Sequence, residues 1–370
     1  MSIHFKSIIP VFTLIIATII SGKPVFCQTE SKPMVVIAYY MGDGNNITKY
    51  KTEKLTHIIF SFLHLKGNIL AVDNATDSLA ITKLVSLKKT NPKLKIILSL
   101  GGWGGCKTCS VVFNTETGRK EFAQSALKLF KEYNVDGLDL DWEYPAIESL
   151  PGHQFMPEDR QNFTYLIKTL RETAGAGYEL SFAAGGFRNF LTQSVEWSKV
   201  IPLVNYVNMM TYDLVNGNSK QTGHLTSLYS TPEQSESTDH AIMFLDSIGV
   251  PMQKVVIGFA FYGRTFSGVD PKNNGLYQKG KFNTYVNYKD FEKTFSAEAG
   301  YQQYWDKKAK APYAYNSATK TFATFDNLRS VMEKTKYAKA RNLAGVMFWE
   351  LSGDKESGGL LDMIYEASKN

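Results

Sequence analysis

The sequence predicts an α/β fold, a closed (β/α)8 TIM barrel with a small α+β insertion subdomain between strands 7 and 8. Three observations carry that expectation. Eight β-rich apolar runs alternate with segments whose apolar residues recur on one helical face. The seventh and eighth runs are separated by about 85 residues, far beyond the roughly 30 of one crossover unit, so a lobe is expected there. The fourth run leads into "DGLDLDWEYP", Asp136 to Pro145, which carries a row of carboxylates on what otherwise reads as a buried strand.

In chain order, "MSIHFKSIIPVFTLIIATIISGKPVFCQ" sets Lys6 ahead of an apolar run from Ile8 to Ile20 and then a polar stretch. A run of about 13 residues is shorter than the about 20 of a membrane span, and the pattern fits a secretory signal peptide over residues 1–27. The chain is therefore expected to be secreted, with no membrane association unless Cys27 is lipidated, and "PVFC" matches a lipoprotein signal poorly. The mature domain is expected to span residues 28–370. Its strands are placed at Val35 to Tyr40, His57 to Leu63, Leu94 to Leu100, Val135 to Asp141, Tyr178 to Ala184, Val204 to Thr211, Val255 to Phe259 and Ala344 to Trp349. Between them, Phe122, Ala123, Ala126, Leu127 and Phe130 share one helical face. A doubly wound open sheet is the competing fold, but the first strand is followed by no G-x-G-x-x-G and no phosphate-binding loop occurs. The inserted lobe is expected at residues 266–325, where Tyr285, Tyr288, Phe291, Phe295, Tyr301, Tyr304, Tyr313 and Tyr315 alternate with Gly and Asn turns. Asp326 is then expected to cap a final helix carrying Leu328, Val331 and Met332.

Composition excludes some functions. A net charge of +6 without Lys/Arg runs is no nucleic-acid footprint. The 6 His show no ligand spacing and no cofactor motif is present, so neither metal nor cofactor is expected. Cys106 and Cys109 form one C-x-x-C with no second pair; in an exported chain that favours a local disulfide over zinc. Asn46, Asn74 and Asn162 open sequons, which matter only in a eukaryotic secretory path.

The acidic run is the most informative stretch. Side chains alternate across a strand, so Asp139, Asp141 and Glu143 share one face and Leu138, Leu140 and Trp142 the other. The apolar face meets helices, leaving the acids to point into the barrel toward the C-terminal mouth where this fold keeps its active sites. Successive acids stand about 6.6 Å apart, so their charges couple. Burial beside other carboxylates raises a pKa, which is how a proton donor stays protonated near neutral pH. A solvated acidic turn and a divalent-metal site are the rival readings. Strict Leu/Leu/Trp alternation opposes the first, and Tyr144 in place of an EF-hand glycine opposes the second.

"DGLDLDWEYP" resembles the D-x-x-D-x-D-x-E signature of family 18 glycoside hydrolases, the chitinases and their relatives. "SLGGWGG", "NMMTYDL", "GFAFYGRTF" and "GVMFWEL" resemble that family's third-, sixth-, seventh- and eighth-strand motifs. "YQQYWDKKAKAPYAY" and "FATFDNLRS" resemble the insertion subdomain of its deeper-cleft members, and the likeness covers essentially the whole mature chain. The resemblance implies hydrolysis of β-1,4 links in chitin or chitooligosaccharides with retention, by the substrate-assisted route in which the sugar's own acetamide attacks the anomeric carbon.

By that resemblance Glu143 is the general acid and base, Asp141 orients the acetamide and Asp139 shares a proton or hydrogen bond with Asp141. Tyr212 holds the acetamide oxygen, Met210 and Asp213 line the same subsite, and Trp349 floors the sugar. Tyr39, Phe62 and Trp103 are expected as stacking platforms at the mouth, and Arg264 reaches substrate or acidic neighbours. Asp136 braces the strand, and Ser99 supports Asp136 or Asp139. A monomer is expected. Ala260 departs from the Pro of many relatives. A chitin-binding lectin of the same fold and an endo-β-N-acetylglucosaminidase on N-glycans are the alternatives; the presence of Glu143 weighs against the first, the inserted lobe and Trp349 against the second.

Overall fold

The computed structural model describes residues 1–4 and 33–369, so the expected signal peptide and Cys27 lie almost wholly outside the described residues. The chain divides into two compact units, Met1–Pro33 and Met34–Asn370. Among the described residues all elements belong to the second. Its strands are β1 (Val35–Tyr40), β2 (His57–Lys66), β3 (Ile69–Ala71), β4 (Lys95–Gly101), β5 (Gly137–Asp141), β6 (Glu179–Gly185), β7 (Tyr206–Met210), β8 (Val255–Ala260), β9 (Tyr262–Ser267), β10 (Lys281–Asn287), β11 (Gln302–Asp306), β12 (Ala311–Asn316), β13 (Thr321–Phe325) and β14 (Gly345–Trp349). Among the described residues no helix is long and apolar enough to cross a membrane.

The barrel closes in the order β1, β14, β8, β7, β6, β5, β4, β2, with β2 returning to pair β1 and every one of these pairs parallel. Alternation in the sequence divides two cores. Val36, Ala38 and Tyr40 of β1 join the large core between strands and helices, while Ile37 and Tyr39 point inward to meet Ile59, Ile97, Met210, Val256 and Met347. On β5, Leu138 and Leu140, with Trp142 just beyond, take the outer side. The helix Glu116–Tyr133 buries Phe122, Ala123, Ala126 and Phe130 there, starts on the Thr115 cap and stops at Asn134 in the left-handed conformation.

The second sheet is antiparallel, in the order β10, β9, β13, β12, β11, and sits between β8 and β14. It begins at Tyr262, ahead of the expected 266, because β8 passes into β9 through Phe261 alone with no turn residue between them. Asp326 does not cap the following helix. Asn327 does, in a reciprocal capping box with Ser330, and Asp326 is buried behind it. Nor is that helix the last, since Leu360–Lys369 forms another beyond β14.

Candidate active site

The carboxyls of β5 point into the barrel and climb toward its C-terminal mouth. Asp139 is buried and accepts four hydrogen bonds: Ser181 Oγ at 2.6 Å and Asn208 Nδ2 at 3.0 Å on Oδ1, Ser99 Oγ and Tyr39 OH at 3.0 Å on Oδ2. Parallel register places Ser99 and Ser181 directly beside it on β4 and β6. Burial raises its carboxyl above the usual range, and the four donors pull it back.

Asp141 differs. It is buried, and among the described residues its Oδ1 has no hydrogen-bond partner. Burial first, and then the neighbouring charges of Glu143 and Asp139, hold its carboxyl well above the usual carboxylate range. Glu143 follows at the strand end, half-buried, with φ +39° in the left-handed region. Such a backbone costs on the order of 1–3 kcal/mol and persists only where surrounding structure fixes it. His153 Nδ1, 3.1 Å from the Glu143 carbonyl oxygen, is part of that fixing. Burial pushes the Glu143 carboxyl up to about 7, against hydrogen bonds from Tyr144 and Asp141, with the charge of Asp213 adding to the rise. The proton that Glu143 and Asp141 hold near neutrality belongs to the pair.

The end of β7 supplies the opposing wall. Met210 is buried against the inner core and Tyr212 packs beside it; burial holds the Tyr212 hydroxyl well above its ordinary value, so it remains a hydrogen-bond donor. Room for its ring comes from Gly258, where an added Cβ would lie 2.7 Å from the Met209 carbonyl oxygen and 2.8 Å from the Tyr212 ring. Asp213, at φ +55°, is clasped by Arg264 through two bonds of 2.7 Å and by Tyr262 OH at 2.8 Å. That ion pair leaves the Arg264 guanidinium firmly protonated and turned to Asp213.

Trp349 ends β14, half-buried, with its ring stacked 5.4 Å from Phe62 and tilted 5.9 Å from Tyr39. Trp103 is 54% exposed on the loop after β4. Tyr39 corrects the expectation of a stacking platform: it is 1% exposed, with its hydroxyl bonded to Asp139, so it offers no open face. Gly101, at φ +106°, lets the β4 loop pass Asp141, whose carbonyl oxygen would lie 2.2 Å from an added Cβ. Cys106 and Cys109 are joined by a disulfide, Cα atoms 5.2 Å apart, just after the Trp103 turn.

Asp136 lies apart from this group, at the opposite end of the strand. It accepts from Ile96 N at 2.8 Å and pairs with Lys88 and with Lys95. Ser99 therefore supports Asp139 and not Asp136. Residues beyond the sequence reading also enter. Asn208 was legible as the inward residue two before Met210 in "NMMTYDL", and Tyr262 stands inside "GFAFYGRTF". Ser181 and His153 carry no local signal; strand register brings one to Asp139 and a long loop returns the other to Glu143.

The model of the glycosyl hydrolases family 18 matches residues 35–354. Chitinase A1 of Niallia circulans is 38% identical over 304 residues, covering 74% of this chain and 43% of its own length. Chitinase B of Serratia marcescens is 31% identical over 390 residues, covering 86% of this chain and 77% of its own. A family 18 N-acetylglucosaminidase from Paenibacillus barengoltzii superposes with a TM-score of 0.82 at 35% identity, covering 90% of this chain and 99% of that one.

Proposed function

We propose that this chain, which belongs to family 18 of the glycosyl hydrolases, is a secreted chitinase that cleaves β-1,4 links between N-acetylglucosamine units with retention. The observation that carries this reading is the Glu143–Asp141 pair, one carboxyl near neutral pKa and the other buried with an unmet oxygen.

Glu143 donates its proton to the bridging oxygen as the bond from that oxygen to the anomeric carbon breaks. The carbonyl oxygen of the substrate's 2-acetamido group bonds to the same carbon, closing an oxazolinium ring. Asp141 Oδ1 accepts the acetamide N–H and supports the positive charge, while the Tyr212 hydroxyl steadies the acetamide oxygen for attack. Asp139, fixed by four donors, stands two residues below Asp141 on the same strand face, where its charge helps to hold the Asp141 proton. The Glu143 carboxylate then takes a proton from water, whose oxygen attacks the anomeric carbon and opens the ring. Two inversions give retention. The Trp349 and Phe62 rings suit the apolar face of a sugar, and the exposed Trp103 indole extends that surface.

The test is product analysis on hexa-N-acetylchitohexaose beside its fully deacetylated counterpart. Shorter oligomers of the starting anomer are expected from the first, and turnover lower by at least about 100-fold from the second, because the internal nucleophile is gone. Equal cleavage of both ends the substrate-assisted reading. Oligomer binding without shortening identifies a lectin, and faster cleavage of a high-mannose glycopeptide identifies an N-glycan hydrolase.

The pH profile follows from the raised carboxyl. Glu143 must start protonated, so kcat/KM falls as pH rises through about 7, tenfold per unit beyond it. A kcat/KM that stays flat to about pH 9 contradicts the assignment of Glu143 as the acid.

A further inference from the structure

We propose that Thr226 is a positioning residue for Tyr212, held in place by a buried ion pair on its far side. Several parts of the chain meet here: the turn at Thr211 just after β7, the later part of the same loop at Thr226, β8, and the junction of β13 with the helix Leu328–Ala340. At their meeting point Lys334 and Asp326 are both fully buried and bonded through 2.7 and 2.9 Å contacts. The Lys334 ammonium donates also to Thr226 Oγ1, and Asp326 accepts from Ser330 Oγ at 2.6 Å and from Ala260 N at 3.2 Å.

The Thr226 hydroxyl has one proton and two acceptors in reach, the Thr211 carbonyl oxygen at 3.1 Å and Asp326 Oδ2 at 3.2 Å. Asp326 Oδ2 already receives Lys334 and Ala260 N, so the proton goes to Thr211. Lys334 fills a lone pair of the same hydroxyl and polarises it toward that carbonyl.

Thr211 is where β7 leaves the ladder. The strand ends at Met210, and the Thr211 side chain takes over pairing with β8, bonding Gly258 O at 2.9 Å and Gly258 N at 3.0 Å. With its side chain on β8 and its carbonyl on Thr226, Thr211 is held on both sides where the chain enters Tyr212. Leu214 N to Leu225 O at 3.1 Å ties the outgoing chain to the same loop. The next two residues are Tyr212, in the site, and Asp213, in a left-handed conformation that needs such support. A buried charge pair orients one hydroxyl here, and that hydroxyl sets the position of the tyrosine near the start of the same loop.

Because Tyr212 has this task only if the chain cleaves N-acetylated sugars, the inference rests on the reading above. An inactive parent ends that reading; the role of Thr226 is decided by ratios to an active parent. On hexa-N-acetylchitohexaose, Thr226→Val keeps shape but loses the hydroxyl and should lower kcat and kcat/KM together by about tenfold with KM unchanged, while Thr226→Ser stays within about twofold of the parent. Since both act through one ring, Thr226→Val should cost less than about threefold when added to Tyr212→Phe. A Thr226→Val enzyme that melts earlier yet turns over like the parent overturns the inference, as do losses that multiply in the double variant. Should Thr226→Val not fold, the Thr226→Ala to Thr226→Ser comparison decides in the same terms, with rescue by Ser alone in support and equal loss in both against.

Discussion

Glu143→Gln lowers kcat on hexa-N-acetylchitohexaose by at least about 10³-fold while leaving the Kd for the same oligomer within about threefold. Gln matches the shape of Glu and can still hydrogen-bond, but has no proton to give to the bridging oxygen. The loss therefore falls on the chemical step and spares binding. The sign of the pH linkage lets the loss be told apart from unfolding. Burial raises the Glu143 carboxyl above its unfolded value, so the folded state binds the extra proton and its stability falls as pH rises through the interval ending at about 7. The amide does not ionise, so this pH-dependent loss of stability is absent from the variant, and thermal melting beside the parent separates unfolding from loss of the proton donor. Reducing-end release and calorimetric titration check the two halves of the result. Turnover within about tenfold of the parent removes Glu143 from its role.

Lys334→Met lowers the free energy of unfolding by about 3–5 kcal/mol, among the largest effects of any single substitution away from the acidic strand. Methionine fills much of the lysine's space, so the cost is chiefly electrostatic. Asp326 is left as a charge without solvent, and its hydrogen bonds from Ser330 and Ala260 do not replace an ammonium. The site joins β8, β13 and the helix Leu328–Ala340, so the loss registers in the whole cooperative transition. Urea unfolding followed by tryptophan fluorescence measures it. A change under about 1 kcal/mol contradicts this electrostatic account of the pair.

The barrel was legible because its signal is local and repeated. Each inner strand is a short apolar run, each outer helix an amphipathic segment, and the all-parallel closure satisfies every such face at once. The acidic row was legible for the same reason, since alternation alone separates Asp139, Asp141 and Glu143 from Leu138, Leu140 and Trp142. Boundaries and caps were less so. Asp326 reads as a helix cap in sequence, yet Asn327 has the backbone and reach for it, and Asp326 turns inward to Lys334. Tyr39 reads as a mouth aromatic because it nears the end of β1, but inward register commits its hydroxyl to Asp139.

What the sequence determined by itself is the order of elements and the identity of the acids, because periodicity and residue type act within a few positions of chain. Only the tertiary structure decided which of those acids hold protons and which partners fix them. Ser99 and Ser181 reach Asp139 through strand register, Arg264 reaches Asp213 from the second sheet, and Thr226 reaches Thr211 with Lys334 behind it. Exclusion from water and the distance between charges set a pKa, and both arise only when segments far apart along the chain are folded together.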